Sequence, residues 1–265
     1  MESHVTHRQR LWLYLLTGLV LFYLVVPTLI VVPMSLSGAN ALKFPPDSFS
    51  LRWYEEFFGK AEWRDATWVS VQVALGTTLL ATPAGVAAAY GLHLGRFRFG
   101  ALLYGSILAS LMVPVILIAI GLFFLYARLD MVNTIGGLIL ADTLLAIPFV
   151  LVTVAAGLKS YDMSQEMVAR SLGASRLKAF LTVTLPQIRT SVIAGGFFAF
   201  IVAFDEVVIA LFLSNGEGAT LTKRMFSTLR DEVDPTIAAI STLLIVLTTL
   251  PPLVLHLLQD RKRRG

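Results

Sequence analysis

Long apolar runs separated by short polar stretches dominate the chain. Six windows, at about 11–33, 66–91, 100–126, 134–158, 190–213 and 236–258, each supply the roughly 20 apolar residues that cross ~30 Å of hydrocarbon at 1.5 Å per residue. Four of them hold no Asp, Glu, Lys or Arg. The pattern predicts an all-α membrane protein with six transmembrane helices. About 150 of the 265 residues then lie in lipid, and the loops are too short for a separate catalytic domain of ~100 residues. A single transmembrane domain over 1–265 is expected, its core at about 66–258.

Pro27, Pro83, Pro114 and Pro148 fall inside these windows, each removing a donor and favouring a kink. Ala84-Gly85 and Gly195-Gly196 supply small residues for close helix contact. Two stretches on one side of the predicted bundle are candidates for contact with a soluble partner. One, from Ser35 to Asp65, mixes Trp53, Tyr54, Phe57, Phe58 and Trp63 with charges, as an amphipathic surface helix does. The other runs from Asn215 to Pro235.

The stretch from Lys159 to about Arg189 is too polar for hydrocarbon and too patterned for a linker. Met167, Ala169, Arg170 and Leu172 predict a turn and a half of helix. Gly173 is placed to end it in the left-handed conformation, and Ser175 to cap a second helix running to Pro186. Such an elbow suits a groove on another protein.

Composition agrees with a membrane chain: 56% of residues are hydrophobic, 14% are charged, and mean hydropathy is +0.76. The absence of cysteine excludes disulfides, thiolate metal sites and cysteine nucleophiles. His4 and His7, beside Arg8 and Arg10, read as a basic flank rather than a metal site. Thirteen Lys and Arg fall on one side of the windows: Arg8, Arg10, Arg96, Arg98, five from Lys159 to Arg189, and four from Arg261 to Arg264. Eight fall on the other side, outnumbered by ten acids. The positive-inside rule then puts both termini in the cytoplasm. The basic end is a topology anchor near anionic lipid rather than a nucleic-acid site. Window 11–33 is too long for a cleaved signal core and is expected to stay as a signal anchor.

Acids within the windows are Asp142, Asp205 and Glu206, each costing about 2.5–3.5 kcal/mol at mid-membrane. In a continuous helix Asp205 and Glu206 diverge by ~100°, so one is a candidate for the solute path and the other for a helix interface. Asp142, beside Thr143, is assigned a structural part.

The run Glu166-Met167-Val168-Ala169-Arg170-Ser171-Leu172-Gly173-Ala174-Ser175, followed by Val183-Thr184-Leu185-Pro186, resembles the EAA loop of binding-protein-dependent ABC importer permeases. That pattern is Glu-Ala-Ala, three residues, Gly, nine residues, an aliphatic, one residue, then Leu-Pro. The spacing from Gly173 to Val183 and to Leu185-Pro186 fits. Counting back from Gly173, Met167 stands where the family has its glutamate, with Val168 and Ala169 at the alanines and Glu166 one place early. Phe204 to Ser214, Thr220 to Met225 and Asp234 to Ala239 are similar to the second permease of spermidine/putrescine-type importers.

The resemblance implies the type I ABC importer permease fold and multi-pass insertion in the bacterial inner membrane. It also implies a non-catalytic subunit with an ATPase-coupling segment at about 159–186, using Met167, Val168, Ala169, Arg170, Leu172, Gly173, Ala174, Ser175, Leu185 and Pro186. Implied partners are an ABC ATPase dimer, a sister permease and a periplasmic solute-binding protein. No phosphate-binding loop occurs in the sequence, so ATP and Mg are expected on the ATPase and no cofactor on this chain. The implied solute is a polyamine such as spermidine or putrescine, with an opine, an amino-acid derivative, iron or thiamine as alternatives. An ion-coupled secondary transporter using Asp142 and Asp205 is a further alternative, disfavoured by six helices without an inverted repeat. An intramembrane enzyme lacks the paired His, Ser-x-x-Lys set or metal spacing it needs.

Overall fold

In hydrocarbon every backbone N–H and C=O must be satisfied within its own segment, so a long apolar run is driven to helix. The computed structural model describes residues 11–95 and 98–249. His4, His7, Arg8, Arg10, Arg96, His256, the Arg261 to Arg264 end and the last part of window six lie outside them. The described residues are mainly helical and carry no strand beyond an isolated bridge between Ser37 and Phe49.

The chain divides into two compact units, Asp65–Phe226 and the remainder. In the remainder, α1 (Leu11–Ser35) is an apolar helix whose buried residue is Ser35. The Ser35 hydroxyl donates to the Val32 carbonyl (2.7 Å) and shares a 2.7 Å hydrogen bond with Tyr54. Tyr54 belongs to α2 (Arg52–Gly59), which buries Trp53 and Phe57 one turn apart and leaves Phe58 and Glu55 exposed. The Trp53 indole N–H donates to the Ser37 carbonyl (2.7 Å), and the Arg52 guanidinium lies 4.2 Å over its ring. The amphipathic helix expected between Ser35 and Asp65 is therefore present. An apolar helix α13 (Thr236–Thr249) covers the described part of window six.

The larger unit is built on α3 (Ala61–Leu94), α4 (Gly100–Ala109, extended by a 3₁₀ turn to Met112), α5 (Val115–Arg128), α6 (Ile135–Lys159) and α10 (Arg189–Asp205). Helix α6 lies at its centre, with Val150, Leu151, Val154 and Leu158 inaccessible. It packs most closely on α10. The expected small-residue contact is real. A Cβ at Gly85 of α3 would stand 2.6 Å from the Val150 Cβ, and one at Gly195 of α10 would stand 3.3 Å from the Val150 Cα. Three helices thus converge on one valine. At the other end of α6, Gly137, Leu138 and Ala141 are buried against a second cluster that includes Val73, Ala119 and Ile209.

Among the described residues, three helices, α1, α3 and α6, are long and apolar enough to cross a membrane, and five spans are reached if each of two bent pairs counts as one. Window three carries the kink expected at its proline, whereas window five is not the uninterrupted span expected. Window three bends by 97° at Pro114. Val113 before it is extended (φ −74°, ψ 127°), as the steric demand of a following proline requires, and Pro114 then caps α5. Window five is entered through an 82° bend at Ile188 and ends early, at Asp205. Pro27, Pro83 and Pro148, expected to interrupt their helices, instead sit inside continuous α1, α3 and α6. Long flanking apolar turns keep the helix going across one missing hydrogen bond.

Candidate functional site

The elbow follows α6. Asp162 accepts from the Ser164 N–H (2.9 Å) and the Ser164 hydroxyl (2.6 Å), and these bonds hold its carboxyl below the usual carboxylate range. They start α7 (Ser164–Ser171). Its end is a complete Schellman turn: the Gly173 N–H donates to the Arg170 carbonyl (3.0 Å) and the Ala174 N–H to the Ala169 carbonyl (3.1 Å). Gly173 sits at φ +93°, the left-handed region that favours glycine. Ser175 is extended, and its hydroxyl accepts from the Lys178 N–H (3.3 Å), capping α8 (Arg176–Ala179).

The helix continues through a π turn (Phe180–Thr184) into the short α9 (Leu185–Gln187). The π turn ends two residues before Pro186, whose missing N–H breaks the regular ladder. Two helices around Gly173 with Ser175 as the second cap are the arrangement the sequence predicts.

The elbow has two faces. Met167, Val168, Leu172 and Leu177 are exposed, Leu172 at 84%, although all four are apolar. Arg170, Gly173 and Ser175 are exposed beside them, with Ala169 and Ala174 half-buried. On the opposite face Glu166, Ala179 and Thr184 are buried. The one-place offset of Glu166 from Met167 therefore separates inside from outside. Glu166 accepts hydrogen bonds from the Tyr90 hydroxyl (2.6 Å) on α3 and from the Thr184 hydroxyl beyond the bend. Sequence reasoning leaves Glu166 without a role, because these partners lie 76 and 18 residues away and no local pattern signals them. Leu185 is half-buried and lines an apolar groove of about 650 Å3 with Val86, Phe180 and Leu181, while Pro186 is exposed.

The second candidate is the acidic pair. Asp205 is the last residue of α10 and is exposed; Glu206 is extended (φ −71°, ψ 115°). The continuous helix assumed for this pair is thus absent. The cause is local: the Glu206 carboxylate accepts from the Ile209 N–H (2.9 Å), so its side chain caps a new short helix, α11 (Val208–Leu213). Its carbonyl accepts from the Thr222 hydroxyl (3.3 Å) on α12 (Leu221–Asp231). At the other end of α11, Lys223 donates to the Ser214 carbonyl and to Asn215 Oδ1 (3.3 Å). A carboxylate at the N-terminal end and an ammonium at the C-terminal end match the helix dipole at both ends. Lys223 is only 8% exposed, and burial lowers its pKa from the usual lysine range. By sequence it reads as an ordinary loop charge. Asp142 is 3% exposed in α6, and its Oδ1 has no hydrogen-bond partner among the described residues.

The family described as binding-protein-dependent transport system inner membrane component matches residues 81–264. Over 240 residues the chain is 30% identical to the spermidine/putrescine transport system permease protein PotC of Haemophilus influenzae, covering 91% of this chain and 93% of that protein. It is 31% identical over 232 residues to the putrescine transport system permease protein PotI of Escherichia coli, covering 84% and 82%. Its fold matches a crystal structure of a bacterial ABC transporter involved in import of the acidic polysaccharide alginate, with TM-score 0.66, 15% identity, and 98% and 99% of the two chains covered. A crystal structure of an amino acid ABC transporter with histidines gives TM-score 0.56 at 18% identity, covering 77% and 96%. With the family match spanning most of the chain, this protein belongs to the binding-protein-dependent inner-membrane components of ABC importers.

Proposed function

We propose that this chain is the non-catalytic permease subunit of an ATP-driven importer of polyamines such as spermidine or putrescine in the bacterial inner membrane. The observation that carries this reading is the elbow: a rigid Schellman turn that presents Met167, Val168, Leu172 and Leu177 outward with no cover of its own. Exposed apolar side chains on a polar segment call for a protein partner. The proposed partner is an ABC ATPase dimer that binds ATP and Mg and moves the elbow through Gly173 and its flanks. This reading takes six spans with both termini in the cytoplasm, the side that carries more Lys and Arg in the sequence, and so puts the elbow on the ATP side. A sister permease completes the solute path, and a periplasmic binding protein delivers the solute. Closure of the ATPases would draw two elbows together and rock the helices between inward and outward openings. The polyamine assignment is supported by the likeness to PotC and PotI, whose names carry those solutes.

In this reading Asp205, exposed at the break between α10 and α11, is the group that attracts a cationic solute, while Glu206 keeps the break in shape. Asp205→Asn should lower ATP-dependent uptake of labelled spermidine or putrescine about tenfold, the worth of ~1.4 kcal/mol of charge attraction, with the complex intact. Glu206→Ala should instead lower thermal stability, since it strands the Ile209 N–H at a cost of about 1–3 kcal/mol. Unchanged polyamine uptake by Asp205→Asn, measured in proteoliposomes, would remove Asp205 from the path.

A further inference from the structure

We infer that Glu166 is a positioning residue that locks the coupling elbow to α3, so that displacement of the elbow moves that helix as one body. This rests on the permease reading above. Glu166 is 1% exposed, yet it belongs to a short helix whose neighbouring residues Gln165, Met167 and Val168 are exposed. A carboxyl group reaches such a place only when its oxygens are satisfied. Here each oxygen takes one hydrogen bond from a different element: Oε1 from Tyr90 near the end of α3, and Oε2 from Thr184 at the end of the π turn. The carboxylate itself is carried by α7, on the near side of Gly173. One side chain therefore ties both arms of the elbow to a helix 76 residues earlier.

The aromatic ring of Tyr90 reinforces the joint, lying 4.4 Å from the ring of Phe180. The Thr184 hydroxyl also stands 3.5 Å from the Tyr161 hydroxyl. Without this joint the elbow would be held to the spans by its chain connections to α6 and α10, across the turn at Ser160 and the bend at Ile188, and to α3 only by apolar packing around Phe180. Force from a partner would then flex the elbow rather than swing α3. Met167 and Val168 meet the partner and Glu166 passes the load on, which gives a physical meaning to the one-place offset of the glutamate in the motif.

The sequence has no cysteine, so spin labels can be introduced at Gln165 on α7 and at Trp68, near the far end of α3, both exposed. In the purified complex the distance distribution between them should keep one narrow width with and without ATP. Glu166→Ala should broaden it at least twofold and reduce solute moved per ATP at least fivefold, with the ATPase still bound and hydrolysing. Tyr90→Phe keeps the ring packing and removes one donor, so it should shift both readouts in the same direction by less. The double variant should be no worse than Glu166→Ala. Unchanged width and stoichiometry in both single variants, or loss of the ATPase from the Glu166→Ala complex, would overturn the inference. Failure to recover any ATPase with the unaltered chain would instead overturn the permease reading.

Discussion

Replacing Gly173 with tryptophan releases the ATPase from this subunit and abolishes most uptake, while the helical unit that carries the elbow stays folded. Two features set this expectation. Gly173 holds φ +93°, so any side chain there costs about 1–2 kcal/mol of backbone strain, too little to unfold the chain. The space around it is open: a Cβ at Gly173 would meet no atom of this chain within 4 Å. The indole is therefore directed at whatever docks on the elbow. Overpacking an interface by about 1–3 kcal/mol weakens association roughly 5- to 150-fold. Purification of the tagged variant should recover a folded chain, melting about 2–8 °C lower from the strain alone, but without its ATPase. Gly173→Ala, with the strain and little of the bulk, should retain most of the complex. A Gly173→Trp complex that purifies intact and transports normally would mean the elbow is not the docking element.

Gly85→Leu should be the most damaging single change to the fold. The side chain would enter α3 where a Cβ already stands 2.6 Å from Val150, a residue with no accessible surface and with Gly195 of α10 behind it. Neither α6 nor α10 has room to yield there. The cost is at least the upper end of the ~1–3 kcal/mol range for overpacked cores, which lowers the melting temperature by about 2–4 °C for each kcal/mol in a chain of this size. Gly91→Leu, on the same helix with nothing within 4 Å of its Cβ, is the control and should melt like the unaltered chain. Val150→Ala should recover part of the loss in Gly85→Leu. Equal melting temperatures for the two leucine variants would contradict the tight α3–α6–α10 contact.

These two glycines also mark how far the sequence reaches. Apolar window lengths located α1, α3 and α6 within a few residues, because hydrocarbon leaves a long apolar segment no alternative to helix. The elbow was legible because a helix stop at Gly173 and a cap at Ser175 act on neighbours one to three residues away. The bend at Pro114 was half legible: the proline was visible, but so were Pro27, Pro83 and Pro148, and only the packing around each decides whether the helix breaks. The end of α10 at Asp205 could not be read, since a run of apolar residues continues past it. The break arises because Glu206 turns its carboxylate back onto the Ile209 N–H. Lys223 and Glu166 were missed for the same reason. Their roles consist of contacts between elements, and a buried charge looks the same in sequence as an exposed one.

The most direct measurement is to purify the tagged, unaltered chain gently from its native membranes and identify by mass spectrometry what accompanies it. The account predicts an ABC ATPase in two copies and one sister permease. Recovery of the chain alone, or only as copies of itself, from membranes that still take up the solute would contradict it and point to an ion-coupled carrier.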